Sequence, residues 1–432
     1  MKKRQLTLGL MAIFSVNALA AQLQAPDANF LSKAAEHAIT IDNWDQGENS
    51  ASTFPNAYKF THSYRISHGL LGSGLDVLMP QPLKESNQLD LKKIKVPVIN
   101  GEMNMEDFLR DRLKNHSMVI AQKDAIIHQH YWNNTHKDST HLVMSVTKSF
   151  TAMIAGIIAA EGKIDMSKPV TDYLPELKDT AWENATVEEV ADMRTSLVIP
   201  KEEGKSWDNR MTLSQGYNGD ETKTYPNGVA DYLQLVTKHE GNMGYKYTYQ
   251  CANTEVLGKV IEAATGQQLA DLYESKIWTK VGLEQDAFLM SDPSGFPMAS
   301  GGLNATTRDL ARVGLMLQNN GKNYLGEQVV PSPFIQALWD GNEKVRAAWK
   351  LSKEGRLGEG WYKDQFRVLK VDGRTMLAMT GIHGQAVIMD KKTGAVIAMN
   401  GGYPVTESLR MAQIIFVKVA PMIFDAIESQ PS

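Results

Sequence analysis

Apolar positions fall into three regimes along the chain. Near the start of its second quarter, SMVIAQKDAIIHQHYW (Ser117–Trp132) carries two runs rich in Val, Ile and Tyr around Lys123-Asp124, which predicts two strands and a turn. Toward the end, FRVLKVDG, TMLAMTG, QAVIMDKKTG and AVIAMNGG are short apolar runs split by Gly or Asp, again strands, with KKTG as a hairpin turn. Between these groups the spacing is mostly helical and broken by loops, from Asp165 to about Gln285.

Helices are predicted over Met105–Lys114, through the apolar stretch that ends at Ala160, over Asn253–Ala264 before Gly266, and over Gln268–Val281. A further helix opens on the capping-box-like pair Thr306 and Asp309 and closes at Gly321. Glu407–Ile427 is amphipathic at helical spacing. Strands early and late, with helices between, predict an α/β (α+β) fold. Its antiparallel sheet, flanked by helices, is assembled from both chain ends, with a mostly helical region inserted at about 165–290. Residues 21–110, rich in Asn, Ser, Tyr, Gly and Pro, read as an arm packed on a catalytic body of residues 111–432.

The first 20 residues change the picture. MKKR is basic, LTLGLMAIFSVNALA is apolar, and Ala18-Leu19-Ala20 offers small residues to a signal peptidase, so a leader cut after Ala20 is expected. That implies a periplasmic or secreted protein without a stable membrane anchor. The formal net charge is −4, and loss of Lys2, Lys3 and Arg4 would make it more negative. With no basic cluster, a nucleic-acid partner is not expected. The single cysteine, Cys251, cannot form an intramolecular disulfide. Its apolar, helix-like setting reads as a buried, inert thiol.

Chemistry concentrates in MSVTKSFTAMIAGIIAA (Met144–Ala160). Ser145 and Lys148 stand one helical turn apart at the head of a helix that is apolar nearly all round. They are either ordinary first-turn polar residues or a nucleophile and its base. A lysine at the start of a buried helix is desolvated, which lowers its pKa and suits a base. The amides of a helix start supply donors beside the serine. His128, His130, His136 and His141 lack a metal-binding spacing and read as hairpin and loop residues, so neither metal nor cofactor is expected.

SVTK resembles the nucleophile motif of the serine β-lactamase and penicillin-binding-protein superfamily. In the same order follow GYKYTYQCANTEVLG, SGGLNATTRDLARVGLML and AMTGIHGQAVIMD, which resemble further motifs of its class-C-like branch. The arm Asn43–Phe60, SVTKSF, GIHGQ and the stretch Tyr362–Phe366 narrow the likeness to the 6-aminohexanoate-dimer hydrolases and the β-lactamase-fold carboxylesterases. The resemblance implies that Tyr249 is the motif tyrosine, that Met379-Thr380-Gly381 is the third triplet on an edge strand, and that the backbone N–H groups of Ser145 and Ile382 hold an oxyanion. Gly381, otherwise a plain turn glycine, then approaches the substrate, His383 either contacts it or has a structural hydrogen-bonding role, and Asp192–Ser196 is structural.

Two departures follow. Cys251 stands where the family has asparagine and Met379 where it has lysine, which weakens a β-lactamase reading and leaves acyl transfer intact. The expected substrate is a small amide or ester. Peptidoglycan processing as a D-alanyl-D-alanine carboxypeptidase, and a non-catalytic penicillin-binding-like module, are the alternatives. Trp207–Tyr217 and Gly355–Tyr362 are candidate pocket loops.

Overall fold

A computed structural model describes residues 21–69, 78–199, 209–219, 222–405 and 408–430. The expected leader lies outside them. Among the described residues, no helix is long and apolar enough to cross a membrane.

The main sheet has eight strands. From one edge they run Gly360–Lys363, Phe366–Val371, Arg374–Gly381, Gln385–Asp390, Ala395–Gly401, Asn115–Gln122, Ala125–Tyr131 and Lys84–Glu85. Every pairing is antiparallel except the last. The two chain ends meet where Ile397 pairs with Ile120.

The apolar runs look continuous because both faces of this sheet are buried. Leu377, Met379, Val387, Val396 and Val119 point into one core, with the helices Val146–Ala160, Cys251–Thr265 and Thr307–Gln318. Their neighbours Met376, Ala378, Ile388, Ile397 and Ile120 point into a second, closed by the C-terminal helical segment 408–428 and by Phe108 and Leu109. The helix Thr307–Gln318 starts as expected, the Thr306 side chain accepting from the Asp309 N–H. It ends at Asn319, and Gly321 follows at φ +80°, where an added Cβ would stand 2.1 Å from the Val330 carbonyl.

A five-stranded second sheet was not foreseen. It joins Leu23–Gln24 and His62–Ile66 from the arm to Ala287–Ser291, Leu303–Thr306 and Thr140–Leu142. The arm is therefore hydrogen-bonded into the body by strand pairing, not merely laid upon it. The triplet Met379-Thr380-Gly381 also differs from expectation. Its strand is third from the edge, flanked by Phe366–Val371 and Gln385–Asp390, because a further hairpin adds outside it. The helical insertion is loop-rich, with short helices at Val187–Ala191, Arg210–Ser214 and Val229–Leu233.

Candidate active site

Ser145 opens the central helix Val146–Ala160. Just before it, Met144 is left-handed at φ +50°, a costly conformation for a side-chain-bearing residue and one that concentrates at functional turns. The turn is locked locally. Val146 and Thr147 donate backbone bonds to Val143 and Met144, and Thr147 Oγ1 donates to the Met144 carbonyl while accepting from the Leu303 N–H. Strand Leu303–Thr306 thereby fixes the turn that presents the hydroxyl.

Lys148 is buried to 1% exposure. Its Nζ donates to Ser145 Oγ at 2.8 Å and to the Ser300 carbonyl at 2.6 Å. Burial pushes its pKa down, but the charge and hydrogen-bonding pull of Cys251 and Tyr249 outweighs burial, and the net direction is up. This corrects the expectation of a lysine made basic by desolvation. At rest the group is an ammonium.

Tyr249 is half-buried in a segment without strand structure. Two cations flank its ring, Lys148 Nζ at 5.1 Å and the Arg367 guanidinium at 4.8 Å, and Tyr362 packs edge-on at 6.1 Å. Its neighbour Tyr247 is buried and stacks on Tyr362 and Trp349, whereas Tyr245 is exposed. Cys251 begins the next helix and lines the same cavity as Ser145 and Lys148. It is neither deep in the helix nor remote from the site, so it is not the buried core thiol expected.

Gly381 meets the serine turn backbone to backbone. A Cβ there would lie 2.7 Å from the Val143 carbonyl and 3.0 Å from the Ser145 nitrogen. Only glycine allows this approach. It sets the Ile382 amide, at the start of a short helical turn, beside the Ser145 amide at the start of its own. Met379 faces the core instead of the cleft. His383 is left-handed at φ +63°, with Nδ1 2.7 Å from the Tyr403 carbonyl. Burial pushes its pKa down, so it is neutral near pH 7.

The cleft has two lobes that share Ser145, Ile382 and His383. The narrow lobe, about 50 Å³, is lined by Tyr249, Thr380 and Gly381 and by Arg367, which donates to both oxygens of Glu354 and to Thr380 Oγ1. The wide lobe, about 560 Å³, is lined by Asp45 and Glu48 of the arm and by Met211, Gln215 and Tyr217. Of the expected pocket loops, residues 207–208 lie outside the described residues, and 211–217 reach the wide lobe. Glu354, just before 355–362, reaches the narrow one. Asp192 sits apart from the cleft, buried with Arg194 and Lys363, and binds the Asp364 N–H.

Arg367, Glu354 and the arm acids were missed in the sequence. Each reaches the cleft only through tertiary pairing, so no local spacing marks it.

A family model described as Beta-lactamase matches residues 105–419. The 6-aminohexanoate-dimer hydrolase of Paenarthrobacter ureafaciens is 27% identical over 374 residues, covering 84% of this chain and 88% of that one. A solved structure from Bacillus anthracis, provisionally assigned as a 6-aminohexanoate-dimer hydrolase, superposes with a TM-score of 0.76 at 24% identity, over 95% of this chain and all of that one. A family VIII carboxylesterase shares the fold more loosely, with a TM-score of 0.52 at 14% identity over 74% of this chain and 95% of the other.

Proposed function

The chain belongs to the beta-lactamase family, and we propose that it is an exported serine hydrolase cleaving amide or ester bonds of small substrates through an acyl-enzyme on Ser145. Likeness to a 6-aminohexanoate-dimer hydrolase supports a linear amide as substrate class. One observation carries the mechanism. Lys148 Nζ stands 2.8 Å from Ser145 Oγ, in a cleft that Ser145 lines together with Ile382.

Ser145 Oγ attacks the substrate carbonyl carbon. Its proton passes to the Lys148–Tyr249 pair, Lys148 Nζ standing 5.1 Å from the Tyr249 ring centre. With Lys148 an ammonium at rest, the pair must first be one proton short to accept the proton of Ser145. The Ser145 and Ile382 N–H groups take the oxyanion, each such donor being worth about 3 kcal/mol. Collapse of the tetrahedral species breaks the bond to the amine or alkoxide, which leaves with the proton. Water then attacks the acyl-enzyme, its proton returning by the same route, and Ser145 is freed.

Export rests on the basic start and apolar run of the first 20 residues. An N-terminus at Ala21 on the protein recovered outside the cytoplasm tests it.

The mechanism is tested by intact mass after treatment with a fluorophosphonate. One adduct on the wild type and none on Ser145→Ala is expected. No adduct on the wild type overturns the acyl-enzyme. A panel of p-nitrophenyl esters, linear amides and D-Ala-D-Ala peptides then separates the hydrolase from a peptidoglycan carboxypeptidase.

A further inference from the structure

Glu255 is fully buried one turn into the helix Cys251–Thr265, and the mechanism above gives it no task. Its surroundings are donors. Oε1 accepts from the Ser300 N–H at 3.0 Å and from Gln215 Nε2 at 3.0 Å, and Oε2 accepts from the Ala299 N–H at 3.2 Å. A carboxylate is acceptor-only, so this arrangement suits the ionised form.

Both backbone groups of Ser300 are then committed. Its N–H points to Glu255 and its carbonyl to Lys148 Nζ, 2.6 Å away. The same Nζ reaches Ser145 Oγ. Thr151 Oγ1, from the central helix, donates to the adjoining Ala299 carbonyl at 2.8 Å and holds the segment from the other side. Burial pushes the Glu255 carboxyl up, the Ser300 contact and the Lys148 ammonium oppose it in part, and the net direction is up. The other titratable neighbour across the packing is Tyr273, whose phenol burial pushes up with Glu255 adding to the effect. Gln215 is neutral, and Cys251 lies one turn earlier on the same helix.

We propose that Glu255 is a positioning residue. Through the Ser300 peptide it aims the Lys148 ammonium at Ser145, and its buried negative charge is the counter-ion that keeps that ammonium there. This rests on the acyl-enzyme reading.

Glu255→Gln puts an NH₂ against a backbone N–H and removes the charge. The probe is fluorophosphonate labelling of the full mature chain, followed across pH. The maximal labelling rate of Glu255→Gln is expected to fall about tenfold, with the half-saturating concentration within about twofold. The acid limb of the rate is expected to move to lower pH by about one unit, because losing a negative neighbour eases proton loss from Lys148. A purely structural role would lower the active fraction and leave the limb in place.

Stability supplies a second readout. Lys148→Met leaves the carboxylate its three donors but removes the buried cation whose charge opposes its own, so its Tm should fall, and adding Glu255→Gln should recover part of the loss. A folded Glu255→Gln with an unmoved limb overturns the proposal. So does a double variant no more stable than Lys148→Met. Should Glu255→Gln alone fail to fold, a double variant that folds supports the counter-ion, and one that does not overturns it. Absence of labelling on the wild type defeats the acyl-enzyme reading itself. Labelling with an unmoved limb defeats only the role of Glu255.

Discussion

The two sides of the Ser145 hydroxyl are built from different material. The narrow side belongs to the main sheet. Thr380, Gly381 and Ala386 sit on paired strands, and Arg367 is clamped to Glu354 by two hydrogen bonds. The wide side belongs to the arm and the insertion. Asp45 and Glu48 come from a segment without strands, and Tyr217 from the turn after a five-residue helix. What holds that side is an aromatic cluster, with Trp44 stacked on Phe60 at 5.0 Å and tilted against Tyr217 at 4.7 Å. On the narrow side the strand-borne groups lie on ladders that cannot slide, and Tyr249, from a segment without strands, packs edge-on against Tyr362 of the edge strand. Groups that shape the larger space lie on segments that can change without disturbing the sheet.

The strongest attack on this contrast is at Gly381. Gly381→Ala drives a methyl into the Val143 carbonyl and the Ser145 nitrogen. Fluorophosphonate labelling should slow by about 10²-fold or more with half-saturation little changed, because small displacements of reacting groups cost that much. A variant that labels at the wild-type rate would show that the sheet side is not rigid.

A smaller effect should appear on acidification, and on the wide side first. The arm is seated on His116 and His141, whose rings meet Nδ1 to Nε2 at 3.0 Å, with Phe54 edge-on to His141. Burial pushes the His116 pKa down to about 4 from 6.5, and that of His141 well below its ordinary value. The folded state therefore binds fewer protons than the unfolded one between these limits. Stability from His116 is complete above about pH 6.5 and is lost as pH falls to about 4, a loss of about 3 kcal/mol. Tm should decline across that window, His116→Asn should flatten the decline, and hydrogen exchange should rise in 44–60 before it rises in 374–381. Equal and simultaneous loss in both segments would erase the contrast.

The mildest change is Tyr217→Ala. It removes a wall of the wide lobe and the contact with Trp44, so half-saturation should rise about fivefold, worth about 1 kcal/mol, with the maximal rate within about twofold. A rate loss comparable to that of Gly381→Ala would mean that the wide side also sets the reacting geometry.

Six of the eight strands of the main sheet were legible because their runs are largely apolar, a pattern that survives without knowing its partners, whereas Gly360–Lys363 and the exposed, charged Lys84–Glu85 carry no such run and were not. Ser145–Lys148 was legible because three residues of helix suffice to bring the two together. The second sheet was not, since Thr140–Leu142 and Leu303–Thr306 are too short to establish a period and exist by pairing with each other. Strand order was hidden for the same reason, which put Thr380 wrongly at an edge. The direction of the Lys148 shift failed on a balance. Desolvation alone could be inferred from an apolar helix, but the opposing pull of Cys251 and Tyr249 comes from a segment about a hundred residues away. Glu255 did leave a mark, a lone acid among apolar positions in CANTEVLG, though nothing local says what it holds.

The junction of Asn115–Gln122 with Ala395–Gly401 also sets the order in which the molecule can be made. The hairpin 115–131 leaves the ribosome with one edge bare, and its partner follows only after more than half of the chain. Pairing so distant in sequence is slow, because loop closure precedes any contact that rewards it. Until residue 401 emerges, Met118, Ile120 and their neighbours offer an open apolar edge to any other nascent chain, and the yield of folded enzyme depends on keeping that edge unoccupied.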